Sequence, residues 1–433
     1  MLMKKTHRAW LLLAFCCLLV ATMGTTTLLS FFTLPVSTAL EVPRAAFTLY
    51  TSIMSLMVIV SMPFWGRMLP RIGIRAMVAI SGAGAGLSYI AMSYFTSLWQ
   101  FYVAGIVVGF TLPACSFLPA SVIITNWFEQ RRGMAMGIAM AFTGVYAAIG
   151  STFLPGMIIE AGWQPTYKLL GAVILVLTLP VVPFLYSHPS KIGLQPYGAK
   201  EDSDPSGPAD TPAGISAREV YRSPAFWLVC MALFFGHASI IGFIQHAPAH
   251  LTSKGISPVE AGTFMGLCML SLIGAKVTLG WLNDRIGTVN ANLVCLFFGA
   301  IALFLFTRMS GQAVFSTIGV ALFVAYAFGY AYNSIFPPLL ISRMFGATKD
   351  FASIYGVAYA LACVGVAIGP PLFGTSYDLT GAYDTMLIIS LCFVAISAVL
   401  TVLAVRLSDR IPKTVRCRPA RLHVRRTRRE QSQ

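Results

Sequence analysis

Long apolar stretches limit what this chain can fold into. There are twelve of them, each close to about 20 residues, the length that crosses the roughly 30 Å hydrocarbon core of a bilayer. They lie near residues 9–33, 46–66, 74–94, 98–125, 133–159, 165–187, 224–250, 259–282, 290–308, 311–341, 351–376 and 382–407. Only 10% of the 433 residues are charged, against about 25% in a soluble domain. We therefore predict an all-α integral membrane protein with twelve transmembrane helices.

Basic residues are distributed unevenly between the segments that join these stretches. If both termini are cytoplasmic, 25 of the 30 lysines and arginines fall on the cytoplasmic side. The outer segments then hold only Arg44, Lys168, Lys254 and Arg308, and Lys276 lies inside a predicted helix. Because basic residues are retained on the cytoplasmic side, we expect a multi-pass protein of the plasma or inner membrane with both termini in the cytoplasm.

Both ends of the chain carry basic residues. Residues 408–433 form a basic tail, and a basic run directly after a membrane helix is typical of contact with anionic lipid. We prefer that interpretation to nucleic-acid binding. The first residues, "MLMKKTHRAWLLLAFCCLLVATMG", have the layout of a secretory signal. Since apolar stretches continue along the whole chain, we predict that this segment is an uncleaved first helix.

The two halves of the sequence repeat each other. "GRMLPRIG" from Gly66 recurs 214 residues later as "GWLNDRIG" from Gly280, and "GIAMAFTGVYAAIG" at 137–150 recurs as "GVAYALACVGVAIG" at 356–369. We predict two pseudo-symmetric six-helix bundles, 1–187 and 224–407, joined by a cytoplasmic linker at 188–223 whose polar, proline-rich composition favours flexibility. Such internal repeats are typical of secondary transporters with a substrate site near the midplane.

The repeated motif resembles a loop of the major facilitator superfamily, whose members have twelve helices and the pattern Gly-x-Leu-x-Asp-Arg-x-Gly after the second helix of each half. The second copy carries the whole pattern at Gly280, Leu282, Asp284, Arg285 and Gly287. The first copy keeps Gly66 and Arg71 but has Pro70 where the aspartate would be. If the charged residues of this loop hold the cytoplasmic side closed, the second copy must contribute more to that closure than the first.

Three other stretches resemble one branch of that superfamily, the monocarboxylate transporters and the related oxalate/formate antiporters. They are "NWFEQRRGMAMGIAMAFTGVYAAIG", which contains Arg131 and Arg132, "SHPSKIGLQPYG" at the head of the linker, and "FIQHAPAHLTSKGIS" across the outer end of the seventh helix. The resemblance implies a transporter of small organic anions, with Arg131 and Arg132 in a gating loop.

Lys276 lies inside the eighth apolar stretch, eight residues or about 12 Å along a helix from Asp284. A charge at that depth costs about 2.5–3.5 kcal/mol on insertion scales, so it should face a watery cavity or an anion. The resemblance implies the same, because monocarboxylate transporters carry a substrate-binding arginine four residues before the loop glycine, the position of Lys276 relative to Gly280. A lysine lacks the fork of arginine and selects carboxylate geometry less strictly. A structural alternative stays open, in which Lys276 only neutralises Asp284 or a helix end.

Other polar residues in the predicted helices are candidates for the substrate site. Tyr326, Tyr330 and Asn333 follow the i, i+4, i+7 spacing of one helix face, and the resemblance implies that the first, fourth, seventh and tenth helices line the cavity. Weaker candidates are Thr25, Thr26, Ser30, Asn126, Tyr146, Tyr355 and Tyr359. Aromatic residues at helical spacing more often pack than bind a ligand, and this alternative stays open.

Histidines are the candidates for proton coupling. No aspartate or glutamate lies in the middle of a predicted helix, so a proton relay would use a histidine, Lys276 or the substrate itself. His237, His246 and His250 fall in the seventh apolar stretch. We predict that His246 relays protons and contacts substrate, with His237 as the second candidate and His250 at the outer interface. The alternative is that each histidine only packs.

These observations favour a bacterial-type secondary active transporter that moves a small organic anion, most simply a monocarboxylate, by alternating access with proton symport or anion exchange. The sequence has no Walker loop, metal-ligand cluster or hydrolytic triad, so we expect neither a cofactor nor an enzyme. Its nine cysteines include no Cys-x-x-Cys pair and are expected to pack as small apolar side chains. Two alternatives stay open: an exporter of lipophilic drugs or metabolites, and a substrate sensor that signals through its basic tail.

Overall fold

The computed structural model describes residues 3–199, 216–244, 246–309, 316–346, 348 and 350–410. Within them, eleven helices are long and apolar enough to cross a membrane. One of these, Ala46–Met92, has 47 residues and is therefore about 70 Å long, twice the thickness of a hydrocarbon core. Its backbone leaves the helical region at Gly73 (φ 78°, ψ 161°), so it makes two crossings. The prediction of twelve transmembrane helices is confirmed.

We number these helices α1 to α12 in chain order. Their bounds are Arg8–Ala39 (α1), Arg44–Met92 (α2 before Gly73 and α3 after it), Leu98–Trp127 (α4), Arg132–Ala161 (α5), Trp163–Phe184 (α6), Pro224–Ile244 (α7), Pro258–Ile286 (α8), Thr288–Arg308 (α9), Thr317–Phe345 (α10), Phe351–Thr380 (α11) and Asp384–Asp409 (α12). A short helix, Ala247–Ser253, lies between α7 and α8. Another, Ala217–Arg222, precedes α7 and is called the linker helix below.

The two motif copies end their helices in the same way. Gly73 has φ 78° and ψ 161°, and Gly287, 214 residues later, has φ 83° and ψ 158°. Only glycine adopts this region without strain. The motif is therefore the last two turns of α2 and of α8 rather than the loop that the sequence predicted, and its closing glycine turns the chain into the next helix. We call the end of the molecule that carries Gly73 and Gly287 the motif end.

Several helices are interrupted by irregular turns. α1 tightens into 3₁₀ turns at Thr22–Gly24 and Leu29–Phe32. α4 changes direction at Ser116 (φ −121°, ψ −92°), and α7 contains a π-helical turn at His237–Ile241. Such turns inside a helix often mark hinges or functional sites, and those of α1 and α4 lie beside the cavity described below.

Two pairs of helices join the halves at the motif end, α5 with α8 and α2 with α11. A Cβ atom on Gly137 of α5 would collide with the Lys276 carbonyl of α8, and one on Gly356 of α11 would collide with the Met62 carbonyl of α2. Gly137 and Gly356 are 219 residues apart, while Met62 and Lys276 are 214 apart, which are the offsets of the two repeats. The pairs are therefore pseudo-symmetric, and Met62 is the counterpart of Lys276.

The described parts of the linker are packed against the bundles, which departs from the flexible linker that the composition favours. The Tyr197 amide donates to the Trp127 carbonyl (2.8 Å), and the Tyr197 carbonyl accepts from the Glu129 amide (3.0 Å). In the linker helix, the Tyr221 hydroxyl lies 2.9 Å from the Ser353 hydroxyl of α11. α6 ends at Phe184 and α7 begins at Pro224, and the division into domains at 187 and 224 stays a prediction.

Eight of the nine cysteines lie in the described part of the chain and are free thiols. Six of these are buried, Cys363 is half-buried and Cys392 is exposed, so most pack as the sequence predicted. Cys417 lies outside the described residues, as does the basic tail from residue 411 onward. Contact of that tail with anionic lipid stays a prediction.

Candidate substrate cavity

A cavity of about 670 Å³ lies between the two halves of the molecule. Six helices line it: α1, α4, α5, α8, α10 and α11. Its lining follows α5 from Ala141 to Thr152 and α8 from Thr263 to Lys276, so the cavity runs from the level of Lys276 away from the motif end. Hydroxyl-bearing residues contribute much of its polar surface: Thr26, Thr27, Ser30, Thr143, Ser151, Thr152, Thr263, Tyr330, Ser334 and Tyr359.

Lys276 is the one charged residue among those that line the cavity in the described part of the chain. Its side chain is 7% exposed. The ammonium nitrogen donates to the Met140 carbonyl and to the Thr143 hydroxyl oxygen, at 3.0 Å each. Both partners are neutral and both lie on α5, so Lys276 bridges the two halves. It does not pair with Asp284, which was one of the two partners in the structural alternative, the other being a helix end.

Glycine brings α5 and α8 close enough for this bridge. Gly137 lies against the Lys276 carbonyl, and Gly280 lies against the backbone of Gly133 and Gly137. Backbones approach this closely only where no Cβ intervenes. The short separation lets the Lys276 side chain reach the next turn of α5, where Met140 and Thr143 lie.

Four of the predicted residues meet in this cavity: Lys276 from α8, Tyr330 and Asn333 from α10, and Tyr359 from α11. Tyr326 does not line it. The Tyr326 ring stacks on the Tyr330 ring at 5.7 Å and an angle of 5°, and its buried hydroxyl has no hydrogen-bond partner among the described residues. Of the three residues predicted on one face of the tenth helix, Tyr330 and Asn333 line the cavity, and Tyr326 packs behind Tyr330.

The cavity lining leaves out the remaining predicted substrate residues. Tyr146 packs beside Gly24 of α1, and Tyr355 is buried between the rings of Phe351 and Tyr359. Of the weaker candidates, Thr26 and Ser30 line the cavity, whereas Thr25 and Asn126 do not. The Asn126 amide instead donates to the Ser187 carbonyl at 2.9 Å.

The predicted histidines also lie outside the cavity lining. The Nε2 atom of His246 is 2.9 Å from the Pro370 carbonyl oxygen, and its ring packs against Phe373 and Tyr383. His237 is buried, with Nδ1 2.7 Å from the Leu233 carbonyl oxygen. In this conformation neither histidine lines the cavity, and each is bonded to a backbone carbonyl.

Asp284 joins the second motif copy to the first half. Its carboxylate oxygens accept hydrogen bonds from the backbone amides of Gly133 (2.7 Å) and Met134 (2.8 Å), in the first turn of α5. An acidic side chain at a helix N-terminus is stabilised by the unpaired amides and by the helix dipole. Pro70 stands at the equivalent position of the first copy and has no side-chain acceptor to offer α11, so the two copies are unequal as the sequence suggested.

The other motif-end residues divide into contacts and exposed charges. The Arg132 guanidinium donates to the Ser342 hydroxyl of α10 at 2.6 Å, which is a further hydrogen bond between the halves. Gly66 packs beneath the backbone of Ala352 on α11. Arg71, Arg131 and Arg285 are exposed, and the Arg285 guanidinium lies 4.9 Å from the centre of the Trp281 ring.

Comparison with known proteins decides the family. The family model described as "Major Facilitator Superfamily" matches residues 14–370. The chain belongs to this superfamily. It is 25% identical over 335 residues to "Monocarboxylate transporter 13" of Rattus norvegicus, covering 76% of this chain and 73% of that protein. It is 24% identical over 397 residues to "Monocarboxylate transporter 12" of Mus musculus, covering 86% of this chain and 80% of that protein.

Among solved structures, this superfamily member resembles a transporter titled "Crystal structure of a Major Facilitator Superfamily (MFS) transporter, FucP, in the outward conformation". The TM-score is 0.69 with 15% identity over 92% of this chain and 99% of the other, which supports the shared fold alone. The twelve-helix, two-bundle architecture is that of a superfamily transporter. Within it, the lining differs from the expected set of helices. Among the described residues, α7 contributes none, while α5 and α8 contribute many and α11 contributes Tyr359.

Sequence reasoning about this superfamily transporter missed Thr143 and the Met140 carbonyl, the two partners of Lys276. They are 133 and 136 residues away from it along the chain. One signal for Thr143 was present in the repeat. The copy "GIAMAFTGVYAAIG" has Thr143 where the copy "GVAYALACVGVAIG" has Ala362, and only the copy with threonine packs against a helix that has a buried lysine. Asn283 was also missed. It is buried and donates to Asp284 Oδ1 at 3.2 Å.

Proposed function

We propose that this transporter carries small organic anions, most simply monocarboxylates, by alternating access. The observation that carries the proposal is Lys276, a buried positive charge at the wall of the cavity whose two bonded oxygens are neutral. A buried charge without a counter-ion is costly. A carboxylate in the cavity supplies that counter-ion. The similarity to monocarboxylate transporters, 25% identical in one case, supports the same substrate class.

The conformation fits the outward-facing step of such a cycle. The distribution of basic residues favours a cytoplasmic motif end. On that assignment two contacts close the cytoplasmic side: the hydrogen bond from the Gly133 amide of α5 to Asp284, and the one from Arg132 to Ser342. The cavity then lies toward the outside. The plasma or inner membrane stays the proposed location, with both termini in the cytoplasm.

Coupling is proposed to be either proton symport or exchange of one anion for another. His246 serves as a relay only if the cycle brings it to the cavity, since here it is bonded to Pro370. His246→Ala distinguishes the roles in reconstituted vesicles. Loss of pH-driven uptake with retained counterflow exchange supports a relay, whereas loss of both reactions indicates substrate binding or misfolding.

The experiment that tests the substrate class is a thermal-stability screen of the detergent-purified protein. Small carboxylates are compared with the neutral amides of the same acids, for the wild type, Lys276→Gln and the control Lys168→Gln. Lys168 is a suitable control because its ammonium lies over the Tyr94 ring, 4.4 Å from its centre, and is not part of the cavity lining. We expect an acid to stabilise the wild type and the control, its amide to have no effect, and Lys276→Gln to respond to neither.

Uptake into vesicles gives the second readout. Lys276→Gln should abolish uptake of the acid found in the screen, while Lys276→Arg keeps part of it because the charge is retained. Equal uptake by all three proteins would rule out Lys276 as the carboxylate anchor.

A second candidate function, export of lipophilic compounds, is favoured by the apolar part of the lining, which includes Met23, Phe31, Phe117, Leu267, Met269 and Leu270. In the same screen this function predicts stabilisation by lipophilic compounds and none by carboxylates. Lys276 would then be a structural bridge between α5 and α8.

A further inference from the structure

We propose that Thr143 is a positioning residue for the substrate carboxylate: it holds the Lys276 ammonium so that one N–H group is left for the substrate. The inference rests on the proposed function, because it assumes that Lys276 binds the anion. It goes further by assigning a role to a residue on the opposite half of the molecule and by fixing how many hydrogen bonds the lysine offers.

Three atoms form a closed triangle at the base of this site. The Lys276 ammonium donates to the Met140 carbonyl oxygen and to the Thr143 hydroxyl oxygen, and the Thr143 hydroxyl donates to the same Met140 carbonyl. All three distances are 3.0 Å. Because its proton is committed to Met140, the Thr143 hydroxyl can meet Lys276 only as an acceptor.

The triangle limits what the lysine can give to a substrate. An ammonium has three N–H donors, and two of them are bonded to α5. The third is the one available to a ligand in the cavity. A carboxylate has two acceptor oxygens, so one oxygen meets Lys276 and the other takes its hydrogen bonds elsewhere. Donor groups of Tyr330, Asn333 and Tyr359 line the same cavity.

The other helix pair of the internal repeat, α2 with α11, has apolar residues at the positions of Lys276 and Thr143. At the offsets of the two repeats, Met62 replaces Lys276 and Ala362 replaces Thr143. The helices themselves meet in the same manner, with Gly356 against Met62 as Gly137 is against Lys276. The helix pair therefore packs without a lysine and without a threonine. In α5 and α8 both are present together, which points to a joint role beyond holding the helices.

The test compares Thr143→Val, which keeps the shape and removes the hydroxyl, with Thr143→Ser, which keeps the hydroxyl. Thr401→Val is the matched control, since Thr401 is also a buried threonine, lies on α12 outside the cavity lining, and donates to the Ser397 carbonyl of its own helix (2.8 Å). Uptake kinetics of the acid found in the screen are measured in vesicles, and stabilisation by that acid and by its amide is measured in detergent.

We expect Thr143→Val to raise the KM for the acid by about tenfold or more, the scale of a lost hydrogen bond to a charged group, with a maximal rate close to that of the wild type. Its stabilisation by the acid should fall in parallel, while the response to the amide stays unchanged. Thr143→Ser should restore the wild-type KM, and Thr401→Val should leave it unaltered.

Two results overturn the inference. A wild-type KM in Thr143→Val removes Thr143 from substrate positioning, and so does a serine variant as impaired as the valine variant. If Thr143→Val does not fold, Thr143→Ala replaces it, because alanine occupies the equivalent position in the second repeat. Binding that survives in Lys276→Gln contradicts the proposed function itself. Binding lost in Lys276→Gln but retained in Thr143→Val contradicts this inference alone.

Discussion

Single residues carry most of what distinguishes the two halves of this transporter. Lys276 could be recognised from the sequence, because a lysine in the middle of an apolar segment needs a cavity or a counter-ion. Its partners could not, since Met140 and Thr143 belong to another helix and no spacing rule joins them to it. The same holds for His246, whose bond to the Pro370 carbonyl depends on how α7 packs against α11.

Gly287 offers a test of the motif at the scale of one residue. Its φ of 83° is strained for any other residue, and no atom lies within 4 Å of a Cβ placed there. Gly287→Ala should therefore destabilise the protein through its backbone alone, by about 1–3 kcal/mol. The free energy of unfolding, measured by titration with SDS, is the readout.

Gly262→Ala is the control for that change. Gly262 lies in α8 and also has open space where a Cβ would be, but it has no positive φ. Alanine should there be neutral or stabilising by about 0.5–1 kcal/mol. If both substitutions lower the free energy of unfolding by the same amount, the positive φ of Gly287 is not the reason that the motif ends in glycine.

At the scale of helices, the sequence predicted the number of crossings correctly, but placed the ends of α2 and α8 too early. Apolar length and the positions of charges are sufficient to count helices in a bilayer. Both helices continue through the motif, to Ile72 and to Ile286, and Pro70 lies within α2 without ending it. The expected set of lining helices was also partly wrong, because no described residue of α7 lines the cavity while residues of α5, α8 and α11 do.

The α5–α8 pair gives a prediction at this scale. A Cβ on Gly280 would collide with the backbone of Gly133 and Gly137, so Gly280→Ala should separate the helices and weaken the bonds from Asp284 to the Gly133 and Met134 amides. Hydrogen exchange of the peptide that covers residues 128–136 should become faster. Gly274→Ala, on the same helix with open space around it, should leave this exchange unchanged. Equal protection in both variants would contradict the role of close approach in closing the motif end.

For the whole molecule, the two-fold repeat of the sequence predicted the architecture, and the departures from the repeat indicate the function. The repeat gives the pairs α2 with α11 and α5 with α8, and the equal conformations of Gly73 and Gly287. Where the two helix pairs differ, α5 with α8 has Lys276, Thr143 and Asp284, and α2 with α11 has Met62, Ala362 and Pro70 at the equivalent positions. A repeat can be read from one sequence, whereas the depth and volume of the cavity depend on how two halves of equal fold tilt against each other.

The replacement of Lys276 by Met62 in the other half has an electrical consequence. Lys276 has no partner of opposite charge in the described structure. On the proposed function, the cavity therefore carries one positive charge when empty and is neutral when it holds a monocarboxylate. The conformational change that returns the empty carrier therefore moves one charge through the membrane field, and its free energy changes by about 2.3 kcal/mol for each 100 mV. The conformational change of the loaded carrier moves no net charge.

Vesicles with an imposed potassium diffusion potential can measure this difference. We expect an inside-negative potential to slow net uptake, which needs the empty carrier to return, and to leave exchange of acid for acid unaffected. Net uptake that ignores the potential would mean that the lysine gives up its proton before the empty carrier returns, and that the proton enters the cell with the acid. One unpaired lysine would then determine whether the membrane voltage or the pH gradient drives the transporter.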